Sequence, residues 1–274
     1  MRIGKMLAIL CLPVLCAHGV ADAASCGSPN APVSAPVSAK SGTTSATIIE
    51  LYTSEGCDSC PPADKWFSTV NYARDGVVPL AFHVDYWDYI GWKDRFAKAD
   101  FTQRQRDAVV RQGSRVSYTP QLMLDGRDLR VWSHQAQFQS RLREVSIRTP
   151  RATLALDATA TDKSVEAALS ATIALPQDRT DAAFFLAVTE SNLISRVTAG
   201  ENKGVLLKPA HVVRDLIGPI PIEAGDRAAG KFSVKRTLAL APDWKRGDLS
   251  IVAFVQNGKN GEVLQALSTP ICRS

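Results

Sequence analysis

Cysteine is scarce in this chain, six in 274 residues. That is too few for a scaffold built on disulfides, and a chain of this length buries a core without them. Histidine is scarcer still at four, each standing alone. A zinc site of paired Cys or His ligands therefore lacks its second pair. The formal net charge is only +5. With no nucleic-acid motif beside it, that surplus gives no footprint for nucleic acid. Long apolar runs are almost absent. Residues 6–17 form one, yet they are too short to span a bilayer with confidence, so no membrane span is expected in the mature chain. No internal repeat is present.

The short apolar run has flanks of its own. Arg2 and Lys5 precede it, and Ala21-Asp22-Ala23 follows with the small residues a signal peptidase reads. Residues 1–24 are therefore expected to be a cleaved secretory signal, which makes the mature chain exported, periplasmic or secreted. Cys11 and Cys16 leave with it, and Cys26, Cys57, Cys60 and Cys272 remain.

Residues 25–46 are rich in Pro, Ser and Ala with no apolar period, which reads as an extended tether. From 47 to 150 the pattern alternates. A β-branched run T-I-I-E-L-Y is followed by a helical stretch over 63–73 and the strand V-V-P-L-A-F-H-V. A basic helix over 94–115 follows, then a hairpin turned at Asp125-Gly126 and a helix after Ser133. Beyond residue 150 short strands of alternating polarity dominate, separated by Gly, Pro and Asp turns. That texture predicts an all-β, sandwich-like unit over 151–274.

The chemistry concentrates at Y-T-S-E-G-C-D-S-C-P-P, residues 52–62. A disulfide closing so short a loop contributes little stability. A redox dithiol fits better. The pair follows a buried-type strand and precedes a helix whose free N–H groups favour a thiolate. Pro61 and Pro62 are tolerated only in a first turn, so they mark where that helix begins. Cys57 is expected to attack and Cys60 to resolve.

Tyr118-Thr119-Pro120 stands just before the strand that begins at Gln121. The order of strand, C-D-S-C, helix, strand, helix, T-P, hairpin and helix resembles a thioredoxin fold, in which Pro120 is cis and packs against the dithiol. More closely, E-L-Y-T-S-E-G-C-D-S-C-P-P-A-D, H-V-D-Y-W-D-Y-I-G-W-K-D-R-F, Y-T-P-Q and G-E-N-K-G-V-L-L resemble the exported family called domain of unknown function 1223. The resemblance implies an α/β thioredoxin-like fold over 47–150, ahead of the all-β sandwich-like domain. It also implies thiol–disulfide exchange on exported proteins. The chain departs from ordinary thioredoxins at Asp58-Ser59, where they carry Gly-Pro, and in a long insertion between Cys60 and Pro120.

Other residues extend this site. Asp58 and Glu55 beside Cys57 disfavour its thiolate, which points towards a reductase or isomerase unless both acids face water. Glu50, mid-strand, is either a buried proton acceptor for Cys60 or a solvated surface acid. Tyr86, Trp87 and Trp92 in the insertion form either a substrate wall with Thr119 or a packed loop. Arg95, Lys98, Arg104, Arg106 and Arg111 read as a solvated helix face, with an acidic partner as the alternative. The exchange reading requires no cofactor. Its partners are exported protein thiols or disulfides and a redox partner whose identity the sequence leaves open. Two other readings stay open: a copper carrier using Cys57, Cys60 and His83, and a non-catalytic interaction module. Cys26 and Cys272 are expected either to pair across the mature chain or to leave Cys26 free on its tail.

Overall fold

The computed structural model describes residues 36–222 and 228–271. The expected signal sequence, Cys26 and Cys272, and with them the expected staple, lie outside the described residues. Strand β1 (Val37–Lys40) comes first, then β2 (Thr47–Thr53), helix α1 (Pro61–Phe67), a short α2 (Tyr72–Asp75) and β3 (Val77–His83). Helix α3 (Ala99–Arg111), β4 (Gln121–Leu124), β5 (Arg127–Asp128) and α4 (Gln135–Ser146) complete the first half.

The second half opens with β6 (Ala152–Ala160), β7 (Ser164–Ile173), a single turn α5 (Pro176–Arg179) and β8 (Ala182–Glu190). Two-residue strands β9 (Ser195–Arg196) and β10 (Leu206–Leu207) pair with each other. Long strands β11 (Val212–Pro221), β12 (Lys231–Ala239), β13 (Leu249–Asn257) and β14 (Val263–Pro270) follow. No helix among the described residues is long and apolar enough to cross a membrane.

The expected fold class, an α/β thioredoxin-like fold followed by a separate all-β sandwich, is overturned. Strand outweighs helix among the described residues, and one mixed eight-stranded sheet runs through both halves in the order β14-β13-β8-β11-β3-β2-β4-β5. The join is parallel pairing of β11 with β3, where Val212 meets Ala81 and the Ala81 N–H reaches His211 O at 2.8 Å. The physical reason is an edge. Strand β3 is buried along its whole length, and an unpaired row of its backbone groups would carry a desolvation cost. Beginning β11 there relieves it.

The second sheet, β1-β6-β7-β12, is antiparallel and packs on the β8–β13–β14 half of the large one. Residues 37–40, expected within the tether, are drawn into it because buried Val37 completes its core and β1 pairs along β6. Alternation along β8 sends Phe184, Leu186 and Val188 into this sandwich and Ala183, Phe185 and Ala187 to the opposite face. Both faces are covered, so β8 is buried throughout.

The β2–β3 half is also covered on both sides. Ile49, Leu51, Val77 and Ala81 pack against α1 and α4, while Ile48, Tyr52, Val78 and Phe82 pack with Phe101 of α3. The hairpin turns at Asp125 (φ 52°) and Gly126 (φ 71°) as its Asp-Gly pair predicts. A Cβ on Gly126 would stand 2.3 Å from Gly261 O, so glycine is also needed for backbone contact with the β13–β14 turn. The basic helix is shorter than expected and starts at Ala99.

Candidate functional site

The loop after β2 carries the two cysteines to the start of α1. Cys60 is the residue before the helix, and Pro61 and Pro62 occupy its first positions, where their missing N–H groups leave nothing unpaired. Cys57 and Cys60 are disulfide-bonded at 2.09 Å, and both are fully buried. The Thr119 hydroxyl donates to Cys57 Sγ at 3.3 Å, and Trp87 Nε1 donates to that hydroxyl at 2.7 Å. The Thr119–Pro120 peptide is cis. An indole–hydroxyl–sulfur chain of this kind is polarised toward the sulfur and favours negative charge there. Among the described residues no such donor reaches Cys60 Sγ.

The insertion closes over this loop. Ile90 and Trp87 pack so tightly on Gly56 that a Cβ there would lie 3.2 Å from Ile90 Cδ1. Tyr86 is a packing residue, its hydroxyl donating to Gln105 Oε1 at 3.2 Å. Trp92 Nε1 donates to Glu55 Oε2 at 2.9 Å. Asp58 is exposed, and its main-chain N–H meets Glu201 Oε2 at 3.4 Å.

Behind the disulfide, on the α1 face of the sheet, lies a nest of ionisable groups. Thr53 and His83 are register partners on adjacent strands. His83 Nδ1 lies 2.6 Å from Asp94 Oδ2, and the same oxygen accepts the Glu55 N–H at 2.8 Å. Burial pulls the His83 imidazole down, but Asp94 beside it, with Asp64 and Glu55 nearby, more than offsets this and holds it above its ordinary value. Burial works to raise Asp94, yet His83 and two main-chain N–H groups carry it below the usual range. Each thus favours the charged form of the other. Burial raises Glu55, and Asp94 adds to the rise. Asp64, on the first turn of α1, is pushed up by burial to about 6. Thr53 Oγ1 and Glu55 Oε1 are buried, with the Asp64 carboxyl and Ser195 as their respective polar neighbours.

Glu50 is not part of this nest, which corrects its expected role as proton acceptor for Cys60. It points to the other face of β2, where Arg104 Nε binds its Oε1 at 2.7 Å and the Tyr52 hydroxyl donates to the same oxygen at 3.2 Å. Arg104, expected on a solvated face, is buried there instead. Its guanidinium carbon lies 5.4, 5.1 and 5.5 Å from the ring centres of Phe82, Phe185 and Phe254. The copper arrangement is not assembled either. His83 has its Nδ1 engaged by Asp94, and among the described residues no group of three or more His, Cys, Asp and Glu is disposed to hold a metal ion.

Sequence reasoning missed Asn202. Its Nδ2 donates to Glu55 O at 2.9 Å and to Cys57 O at 2.8 Å, clamping the cysteine loop from the other half of the chain. Nothing in the local pattern of G-E-N-K-G shows which loop this amide reaches. Asp94 was read only as the start of a helix, and Asp64 was not singled out.

The profile of the family described as protein of unknown function (DUF1223) matches residues 48–256. The chain belongs to that family. That span contains the dithiol loop, Thr119–Pro120 and Asn202. No curated protein matches the chain. Among solved structures it is similar to protein AGR_C_4864 from Agrobacterium tumefaciens, 22% identical over 83% of this chain and 95% of that one, with a TM-score of 0.54. It is also similar to HBP35 of Porphyromonas gingivalis, 16% identical over 84% of this chain and 76% of that one, with a TM-score of 0.61. At such identities the likeness shows the fold alone. It spans both halves, as a sheet continuous across them requires.

Proposed function

We propose that this chain carries out thiol–disulfide exchange on exported proteins, as a reductase or isomerase, with Cys57 as the attacking sulfur and Cys60 as the resolving one. The reading rests on the hydrogen bond from Thr119 to Cys57 Sγ, backed by Trp87. A donor aimed at one sulfur of the pair stabilises the thiolate of that sulfur and distinguishes the two roles. The leader-like N-terminus supports an oxidising, exported compartment. Because Cys57 is buried, exchange requires its loop to open, and Trp87 and Ile90 are the side chains packed on it.

Reduction of insulin by dithiothreitol, with and without the protein, reads the activity. Cys57→Ser abolishes it. Cys60→Ser keeps the attacking thiolate and loses the resolving thiol, so it accumulates mixed disulfides with proteins of the exported compartment. A Cys57→Ser protein that retains activity, together with a Cys60→Ser protein that traps nothing, refutes the proposal.

A further inference from the structure

Opening the disulfide leaves Cys60 needing a proton, and closing it requires that proton to be removed. We infer that Asp64 is the side chain that gives and takes the proton of Cys60, so that the nest behind the disulfide serves the exchange proposed above. The assignment rests on that reading and adds the proton's path to it.

Position comes first. Asp64 follows Cys60 by one helical turn, and its N–H bonds to Cys60 O at 3.1 Å. Residues one turn apart share a helix face, which puts the carboxyl on the same side of α1 as the Cys60 sulfur. That face looks onto the sheet. The groups around the carboxyl come from every element packed on it: Thr53 from β2, His83 from β3, and Glu55 and Asp94 from the flanking loops. His211, at the start of β11, stands edge-on to Phe67 further along α1, and burial holds it down to about 4, so it is neutral. His83, the basic group beside the carboxyl, is already bound by Asp94 at 2.6 Å. Of the two remaining acids, Glu55 lies in the loop before Cys57 and accepts from Trp92 Nε1 at 2.9 Å, whereas Asp64 stands one turn from Cys60 and is pushed up to about 6, close to where an acid–base catalyst works best.

The step balances. A partner thiolate attacks Cys57 Sγ; the new S–S bond forms as the Cys57–Cys60 bond breaks, and the electron pair leaves on Cys60 Sγ. That thiolate takes the proton of the Asp64 carboxylic acid, giving the Cys60 thiol and the Asp64 carboxylate. In the reverse direction the carboxylate removes the proton as Cys60 attacks the mixed disulfide.

Dithiothreitol can serve as the partner thiol, so the test needs no natural substrate. The rate of reduction is followed by tryptophan fluorescence from about pH 5 to about pH 9 and divided by the thiolate fraction of dithiothreitol. The wild type is expected to lose about tenfold across one titration near pH 6, a modest factor because a thiolate is already a good leaving group. Asp64→Asn is expected to be flat at the lower level, and Asp64→Glu to restore the titration. In Cys57→Ser, absorbance of the Cys60 thiolate should show two coupled steps that become one when Asp64→Asn is added. A wild-type profile in Asp64→Asn, with a single unshifted Cys60 titration in both backgrounds, overturns the assignment and leaves the exchange reading standing. Failure of dithiothreitol to open the disulfide at any pH overturns the exchange reading itself.

Discussion

Strands β2 and β3 carry a buried nest of charge on each face, and the two differ in what their charges do. On the α3 face Glu50 and Arg104 hold each other at 2.7 Å, ringed by Tyr52 and three phenylalanines. Burial raises the Tyr52 hydroxyl and the Glu50 charge adds to the rise. On the α1 face the His83–Asp94 pair leaves Asp64 and Glu55 over, both raised by burial. One nest is a sealed joint between α3, the β2 strand and Gln256 of β13. The other keeps an acid without a counter-charge of its own beside a disulfide. A buried pair is kept ionised by its partner, whereas a buried surplus acid trades its charge for a proton.

Breaking the sealed nest is expected to cost most. Arg104→Met leaves the Glu50 carboxylate buried and alone, which destabilises the fold by about 4 kcal/mol in urea titration; Glu50→Gln in the same protein recovers most of it. A loss below about 1 kcal/mol would show that water reaches Glu50.

Asp94→Asn is expected to cost about 3 kcal/mol, and this cost depends on pH. The folded His83 lies above its unfolded value and the folded Asp94 below its own, so the pair's contribution is full between about pH 4 and about pH 6.5; it fades as pH rises through the folded His83 value and as pH falls through the folded Asp94 value. Urea titrations of wild type and variant should therefore converge in alkali. Parallel curves at every pH would mean that His83 is neutral in the fold.

Asp64→Asn has the smallest effect and the opposite sign. Its folded carboxyl titrates at about 6, above the unfolded value, so burial penalises the ionised form as pH rises through that range. The amide carries no such penalty. It is expected to stabilise the protein by about 1–2 kcal/mol near pH 8 and by nothing near pH 4, after allowance for the partial exposure of Asp64. A variant destabilised near pH 8 would place Asp64 in a structural hydrogen bond rather than in the proton's path.

Much of the dithiol loop was legible because its parts are local. Gly-Cys-Asp-Ser-Cys-Pro-Pro, Thr119–Pro120 and the Asp125-Gly126 turn each owe their geometry to residues next to one another in the chain. The face of β2 on which Glu50 lies was not legible. A strand buried on both sides loses the polar–apolar alternation that would orient it. The same burial hid Arg104, which carries a charge like its solvated neighbours on α3 and differs only in what stands opposite. Asn202 was out of reach for another reason: it lies 145 residues from Cys57 along the chain, and no local pattern records which loop a side-chain amide will clamp.

The sequence by itself determined a cysteine pair between a strand and a helix, a Thr-Pro pair just ahead of a strand, and a second half built of strands. Tertiary structure alone decided that β11 joins β3 into one sheet across both halves. It also decided that Arg104 serves Glu50 and that Asp64, His83 and Asp94 meet behind the sulfurs. The physical reason is range. Turn and helix preferences act through covalent neighbours, whereas strand pairing and the charge state of a buried group depend on atoms a few ångströms away in space that the chain brings from anywhere along its length.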